Sequence, residues 1–373
     1  MRLEHLRVQN FRNLRDVEIN PDPRFNVVVG QNGQGKTNLV EAVYVLSCLK
    51  SFRALKNREL IQTGLDRSSI DGTVLRDHAR RHVQVSIRSN GKRVSVNDKA
   101  LRDLSLFFGQ LNTVVFSPED IAVLRGTPSD RRLLMDRMIF HLIPRYAAEI
   151  GDYETVLKNR NAVLKSDQPR RALIEVYDEQ LAALGAAVVL RRLQWLRELR
   201  APLEVAFAEI FDVSLPVEIR YEAGWIEDPC EASWAAGDDP ANITSALRAA
   251  LAKSWHRDLA RGFTTVGPHR DDFVVHLGGQ PVRSHASQGQ QRALILAVKI
   301  SEIRMLKERF GFSPILMLDD VSSELDPERN RRLFRFMDTF EGQVFITTTD
   351  ASFIRLDRPF TQWTVRHGEV ANV

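Results

Sequence analysis

Hydrophobic positions change their period several times along this chain. Up to Val29 they alternate or nearly so: Leu3–Val8 and Leu14–Ile19 read as half-buried strands, and Phe25–Val29 as a short buried one. From Lys36 to Leu49 the spacing becomes helical, with Leu39, Val40, Val43 and Leu46 on one side. Period two returns at Val83–Arg88 and Arg93–Val96, joined through Asn90-Gly91, a hairpin dipeptide. Leu111–Phe116 is a further strand. Pro118 then opens a helix, where its missing N–H costs nothing.

The middle of the chain reads differently. From Ser129 to about Lys165 the pattern is helical, with Leu133, Leu134, Met138 and Leu142 on one stripe. Arg131, Arg132, Arg137 and Arg145 lie off that stripe and read as solvated surface. Ser166–Pro169 is a turn, and a second long helix runs from Arg171 to Phe211, so the two form an antiparallel hairpin. A looser stretch, Glu222–Pro240, has three acids close together at Glu227, Asp228 and Glu231. A third helix covers Ile243–Arg261. Strands resume after Gly262: Phe273–Leu277 runs into a Gly278-Gly279 turn. Ser287 opens a long helix, Pro314–Leu318 is a buried strand ending in acids, Pro327 opens another helix, and Val344–Ile346 is again buried strand. The ends are therefore α/β and the middle all-helical. The pattern predicts one head assembled from residues 1–124 and 263–373, with a helical domain inserted at 125–262.

Bulk properties narrow the class. A chain of 373 residues, 43% hydrophobic and 27% charged, can bury a sizeable core and is expected to fold as two domains. No run approaches the ~18 to 20 apolar residues of a membrane span, and no signal-peptide core is expected at Met1–His5. Cys48 and Cys230 offer no disulfide framework and no metal-ligand spacing, which points to a reducing cytoplasm. No structural metal is expected, since no His-Glu-x-x-His pair occurs. Net charge is only +4, yet Lys50–Arg102 holds 13 Lys/Arg against 5 Asp/Glu, a local +8. Two readings of that excess stand side by side: a face that binds a polyanion, or solvated surface that happens to be basic.

The candidate chemistry lies near both ends. Gly30-Gln31-Asn32-Gly33-Gln34-Gly35-Lys36-Thr37 is a complete phosphate-binding loop between a buried strand and a helix. Its glycines let backbone N–H groups turn toward a phosphate at a helix N-terminus. Lys36 is expected to bridge the β- and γ-phosphates of ATP, and the Thr37 hydroxyl to ligate Mg²⁺. Asp319, after four apolar residues, is the expected Walker B carboxylate on Mg²⁺. Asp320 is placed to orient or deprotonate the attacking water.

Ser287-Gln288-Gly289-Gln290, ahead of a long helix, resembles the signature motif of the ABC-type ATPase superfamily. In that superfamily Ser and Gly of this motif reach the γ-phosphate held by the opposite subunit. Ser323-Glu324-Leu325-Asp326 resembles its D-loop. The rivals are weaker. A transporter's ATPase subunit predicts a Q-loop Gln and a switch His, neither evident. A nucleotide-gated scaffold without hydrolysis sits poorly with an intact Asp319-Asp320 pair, and nothing resembles a kinase lid.

Six segments carry a closer resemblance: Asn10-Phe11-Arg12-Asn13, Lys50-Ser51-Phe52-Arg53, Phe116–Asp120, Gly267–Asp272, Ser287–Arg292 and Leu318–Asp326. Together, and in this order, they resemble the RecF family of bacterial DNA replication and repair ATPases, relatives of the SMC proteins. That resemblance implies an ATP-driven homodimer that clamps double-stranded DNA or its junction with a single-stranded gap. It implies RecO and RecR as partners in loading RecA, and a nucleoid-associated cytoplasmic protein with no membrane. Nucleotide would be held by the P-loop and Arg12 of one subunit and by Ser287, Gly289 and Gln290 of the other. Phe116–Asp120 matches the Q-loop position without a clear Gln. Asp320 in place of the usual Glu, and Thr347-Thr348-Thr349-Asp350 where a switch His is usual, imply slow turnover. Arg53 and Arg270 have two readings each: contact with a phosphate, or a loop held by packing.

Overall fold

A computed structural model describes the chain except residues 55, 212–214, 226–239 and 321–326. The expected D-loop at Ser323–Asp326, Cys230 and the acids Glu227, Asp228 and Glu231 therefore lie outside the described residues. Two compact units emerge: Met1–Ile121 with Val205–Val213 and Ser287–Val373, and Ala122–Glu204 with Ser214–Ala286.

The first unit holds two sheets. One is antiparallel, in the order β2-β1-β4-β5-β6-β7. Its strands are β1 (Arg2–Phe11), β2 (Leu14–Ile19), β4 (Arg67–Arg76), β5 (Ala79–Arg88), β6 (Gly91–Val96) and β7 (Lys99–Ala100). The other runs β15-β14-β3-β13-β12-β8 and is parallel except at its β15 edge. It comprises β3 (Phe25–Val29), β8 (Thr113–Phe116), β12 (Ile315–Asp319), β13 (Val344–Thr348), β14 (Thr361–Arg366) and β15 (Glu369–Asn372). Every residue of β8, β12 and β13 is buried, which is why these strands read as unbroken apolar runs rather than alternating ones.

Helix α1 (Lys36–Cys48) packs on strands of both sheets, so its residues from Leu39 to Cys48 are all buried rather than one stripe of them. Each of its fully buried Val and Leu side chains contributes roughly 1.5–3 kcal/mol, which makes α1 a rigid platform for the loop before it. The β5–β6 turn is Ser89-Asn90, one residue earlier than the Asn-Gly pattern predicts, because Arg88 pairs with Gly91.

The second unit contains α3 (Pro128–Leu142), α4 (Tyr146–Leu164), most of α5 (Arg171–Phe211), α6 (Pro240–Arg261) and the short α7 (Val282–His285), and α2 (Pro118–Val123) reaches into it. Arg191 pairs with Glu149 and Arg160 with Asp178, so α4 and α5 do run antiparallel. The helix predicted from Ser129 to Lys165 breaks at Ile143-Pro144, since proline disfavours helix at the residue before it. On α3 Leu133 is exposed, whereas Leu134, Met135, Met138, Ile139 and Leu142 are buried. Arg131 is buried too and grips Asp272 through two nitrogens, so it is no solvated surface.

The unit also holds a sheet, β11-β10-β9, where the pattern between 125 and 262 predicts only helix. In β9 (Val217–Glu222) Val217, Ile219 and Tyr221 are buried while Glu218, Arg220 and Glu222 face out. That strict alternation is a strand signal, shortened by the irregular residues beside it. It pairs with β10 (Asp272–Leu277), which turns through Gly278-Gly279, both left-handed, into β11 (Gln280–Pro281). Helices α8 (Gln288–Phe310) and α9 (Pro327–Thr339) return to the first unit.

Candidate nucleotide site

The P-loop joins β3 to α1, and its conformation is held from outside. The Gln34 carbonyl accepts from Asn13 Nδ2 and from the Gly368 N–H, both at 3.0 Å. The Gln34 Oε1 accepts from the His367 N–H at 2.6 Å. The β1–β2 turn and the β14–β15 turn thus grip one residue of the loop. Gly35 is needed twice over: its φ is +119°, and a Cβ there would lie 2.8 Å from Asn13 Oδ1. No side chain caps α1 and no acid lies in its first turn, so its leading N–H groups face the loop's concavity as an anion site. The Lys36 ammonium donates to the carbonyls of Gly30 (2.6 Å) and Gln31 (3.2 Å). Burial lowers its pKa, an effect that Asp320 and Asp319 oppose.

Strand order brings the distant acid to this loop. β13 lies between β3 and β12, and Thr348 at its end accepts the Gly30 N–H. Asp319 Oδ1 accepts from Thr37 Oγ1 at 2.9 Å and from Thr347 Oγ1 at 2.7 Å. Thr347 Oγ1 in turn accepts the Asp320 N–H at 2.9 Å, and Asp320 sits in the left-handed region at φ 51°. One threonine therefore orients the first acid and pins the strained backbone of the second. Burial raises the Asp319 pKa; bonds from Thr347 and Thr37 lower it, the Glu119 charge raises it, and Arg53 lowers it. Glu119 and Arg53 are thus charges that bear on the Asp319 carboxylate. Thr347 and Glu119 were not predicted as site residues: the first is visible in sequence only as a missing His, the second as a Q-loop without Gln.

Arg12, expected beside the nucleotide, meets α1 instead of the loop itself. Its guanidinium forms a two-nitrogen pair with the buried Glu41 of α1. Asp120, next to Glu119, is buried and caps α2 by accepting from the Ser117 N–H at 3.0 Å.

The signature segment is built as a helix start. Ser287 Oγ accepts the Gln290 N–H and Gln290 Oε1 accepts the Ser287 N–H, a complete capping box on α8. A capping Ser accepts through its oxygen, so its own O–H proton is left to donate outward. Gly289 lies against the Arg329 guanidinium, which a Cβ would meet at 2.8 Å. Among the described residues, the side chains of Ser287 and Gln290 each bond the other's backbone N–H and not the P-loop or Asp319.

Comparison with known proteins identifies the family. Residues 2–370 match the family described as RecF/RecN/SMC N terminal domain. The chain is 42% identical to the DNA replication and repair protein RecF of Myxococcus xanthus (strain DK1622) over 356 residues, 95% of this chain and 92% of that one. The chain belongs to the RecF family. RecF of Geobacter sp. (strain M21) is likewise 42% identical, over 96% of this chain and 95% of its own. Among solved structures the chain is similar to the recombination mediator protein RecF-ATPrS in the RecFOR pathway, at a TM-score of 0.89 and 32% identity. That match covers 100% of this chain and 98% of the other. The RecF-ATP structure matches at 0.87 and 33%, over 100% and 99%. The SmcHead bound to the C-winged helix domain of ScpA shares the fold, at 0.56 and 15%, over 100% and 97%. The fold is thus the expected one, an α/β ABC-type ATPase head.

Within this RecF-family chain the Gly267–Asp272 motif is a knot in the second unit. The His269 Nε2 meets the Thr264 carbonyl at 3.1 Å, so it carries the proton, and Nδ1 accepts from Tyr153 OH at 2.7 Å. Burial lowers the His269 pKa to about 4, keeping the ring neutral. Asp271 accepts from Tyr221 OH and Trp225 Nε1, both at 2.8 Å. Arg270 is exposed and lies over the Phe263 ring.

The residues near the P-loop fit a hydrated Mg²⁺. A threonine hydroxyl and one buried carboxylate are hard oxygen donors, and such a site takes its other ligands from phosphate and water.

Proposed function

We propose that the chain is an ATP-dependent DNA-binding switch of recombinational gap repair and replication-fork maintenance. The observation that carries this is the bond between Thr37 and Asp319, 282 positions apart, together with a signature segment whose capping groups, among the described residues, bond only within that segment. The first completes a nucleotide cradle within one chain. The second leaves a helix start and a hydroxyl proton for a nucleotide held by another.

On this reading ATP, the nucleotide of the solved RecF-ATP relative, enters at the P-loop of this chain, and its phosphates draw the Lys36 ammonium off the Gly30 and Gln31 carbonyls. Thr37 and Asp319 hold Mg²⁺, whose chemistry when bound is neutralisation of phosphate charge. Asp320 orients or deprotonates the water. Ser287, Gly289 and Gln290 of a second copy close over the γ-phosphate, so ATP makes a homodimer. The dimer clamps double-stranded DNA or a junction with a gap, works with RecO and RecR to load RecA, and is released by slow, DNA-stimulated hydrolysis. On the same reading it works in the cytoplasm, on the nucleoid.

Two variants test the two halves separately. Lys36→Ala is expected to lose ATP binding and ATP-dependent dimerisation together. Ser287→Arg is expected to keep ATP binding by the monomer and lose the dimer in sedimentation velocity. A normal ATP-dependent dimer of Ser287→Arg sinks the shared site.

A further inference from the structure

The β1–β2 turn holds an arginine in a costly conformation. Asn10 and Arg12 have φ of 54° and 51°, the left-handed region that side chains rarely adopt. Two backbone hydrogen bonds hold the turn, Arg12 N–H to the Leu60 carbonyl and Gln62 N–H to the Asn10 carbonyl, each 2.9 Å, and together they make an antiparallel bridge between Phe11 and Ile61. Strain held this firmly is a reason to look for a function.

Its result is a convergence on one carboxylate. Glu41, five residues after Lys36 on α1, has a fully buried side chain. It accepts from Arg12 Nε and, at 2.7 Å, from Arg12 Nη2. Its Oε1 also accepts from Ser51 Oγ at 2.5 Å. Ser51 Oγ then accepts the N–H of Arg53 at 2.8 Å and of Ala54 at 2.6 Å. A single buried Glu thus gathers the turn bearing Arg12 and the loop bearing Arg53. α1 is otherwise lined here by Leu, Val, Ala and Tyr. A buried charge among them is tolerable only because three hydrogen bonds satisfy it.

We propose that Glu41 is a positioning residue: it fixes Arg12 directly, and Arg53 through Ser51, at the phosphate side of the P-loop, so that the two arginines act on ATP as one unit. This rests on the reading of the P-loop as an ATP site and names what tunes that site. Arg53 is exposed, Glu41 lies one turn after Thr37 on α1, and Asn13, next to Arg12, donates to the Gln34 carbonyl of the P-loop, so the cluster borders that loop. ADP, lacking the γ-phosphate, depends on this unit less than ATP does.

The test measures ATP and ADP binding and single-turnover hydrolysis on the full chain. Glu41→Gln keeps the volume and one acceptor oxygen but turns an NH₂ toward a guanidinium. It is expected to slow hydrolysis on the order of 10- to 100-fold, as lost support of a reacting group does, while ADP affinity changes by less than about threefold. Ser51→Ala is expected to slow hydrolysis in the same direction, and to add nothing in a background of Arg53→Ala, because Ser51 acts through that loop. Glu41→Asp is expected to recover part of the loss. Wild-type hydrolysis by a folded Glu41→Gln, or full additivity of Ser51→Ala with Arg53→Ala, overturns the proposal. The second comparison decides alone if Glu41→Gln does not fold. A wild-type chain that binds no ATP fails differently: it removes the ATP reading itself.

Discussion

Asp271 shows how one buried carboxylate makes the stability of the second unit depend on pH. Its burial pushes the pKa from the ordinary 3.8 up to about 6, against bonds from Tyr221 and Trp225 and the charge of Arg192. Between those values the native carboxyl keeps a proton that the unfolded chain has released. The stability this carboxyl contributes therefore falls as pH rises from about 4 to about 6, and is fully present only below that window. Asp271→Asn carries no charge to bury, and its amide can serve both neighbours, donating to Tyr221 and accepting from Trp225. The variant is expected to match wild type at pH 3.5 and to exceed it at pH 7 by on the order of 3 kcal/mol. Urea unfolding at the two pH values checks this; a constant difference would reject it. His269 acts in the opposite direction: burial lowers its pKa from 6.5 to about 4, so the unfolded chain takes up a proton that the native ring refuses, and its contribution rises with pH through nearly the same window. Wild type and Asp271→Asn share that histidine, so the difference between them isolates the carboxyl.

Elements, more than residues, decide whether the signature motif works. Helix α8 starts with a capping box that fixes Ser287, and Gly289 one turn position on lies against the guanidinium of Arg329, from α9. Gly289→Ala puts a methyl 2.8 Å from that group, which must swing away. The expected outcome is unchanged ATP binding by the monomer with weakened ATP-dependent pairing, seen as a higher concentration for half-dimerisation in sedimentation. Unchanged pairing would show that the surface at Gly289 is not used. Local signals made these elements legible: the P-loop, the apolar run ending at Asp319 and the Ser-x-Gly-Gln helix start each carry their physics in adjacent residues. Missed features depend on neighbours distant in sequence. Thr347 matters because β13 lies between β3 and β12, an order no local pattern contains. Glu41 looks like a polar position on a helix face until both sheets close over α1. β9 is a local signal that was outweighed by the helices around it.

At the scale of the molecule the open matter is where the basic segment acts, since structure divides its charges into two kinds. Arg80 pairs with Glu4, Arg81 with Gln110, and Arg76 reaches the Gly109 carbonyl and the Phe312 ring. Lys92 turns inward to Asn57. Others stay exposed on the outer face of the antiparallel sheet. Arg67 and Arg88 lie directly opposite each other on β4 and β5, and Arg93 stands beside them on β6 opposite Ser86. Like charges paired across strands destabilise a sheet, and these three side chains have no acidic partner among the described residues. A polyanion resolves that repulsion, which favours the first of the two readings of this charge. The cluster lies at the end of the sheet where Ser69 pairs with Gln9, next to the turn carrying Arg12. Arg88→Ala is therefore expected to leave ATP binding unchanged and to weaken DNA binding to a similar degree for every sequence. The slope of log affinity against log salt should fall by about one phosphate contact. Relief of the repulsion should also leave the folded chain no less stable. An unchanged salt slope would return the cluster to solvated surface and shift the search for the DNA path to the second unit.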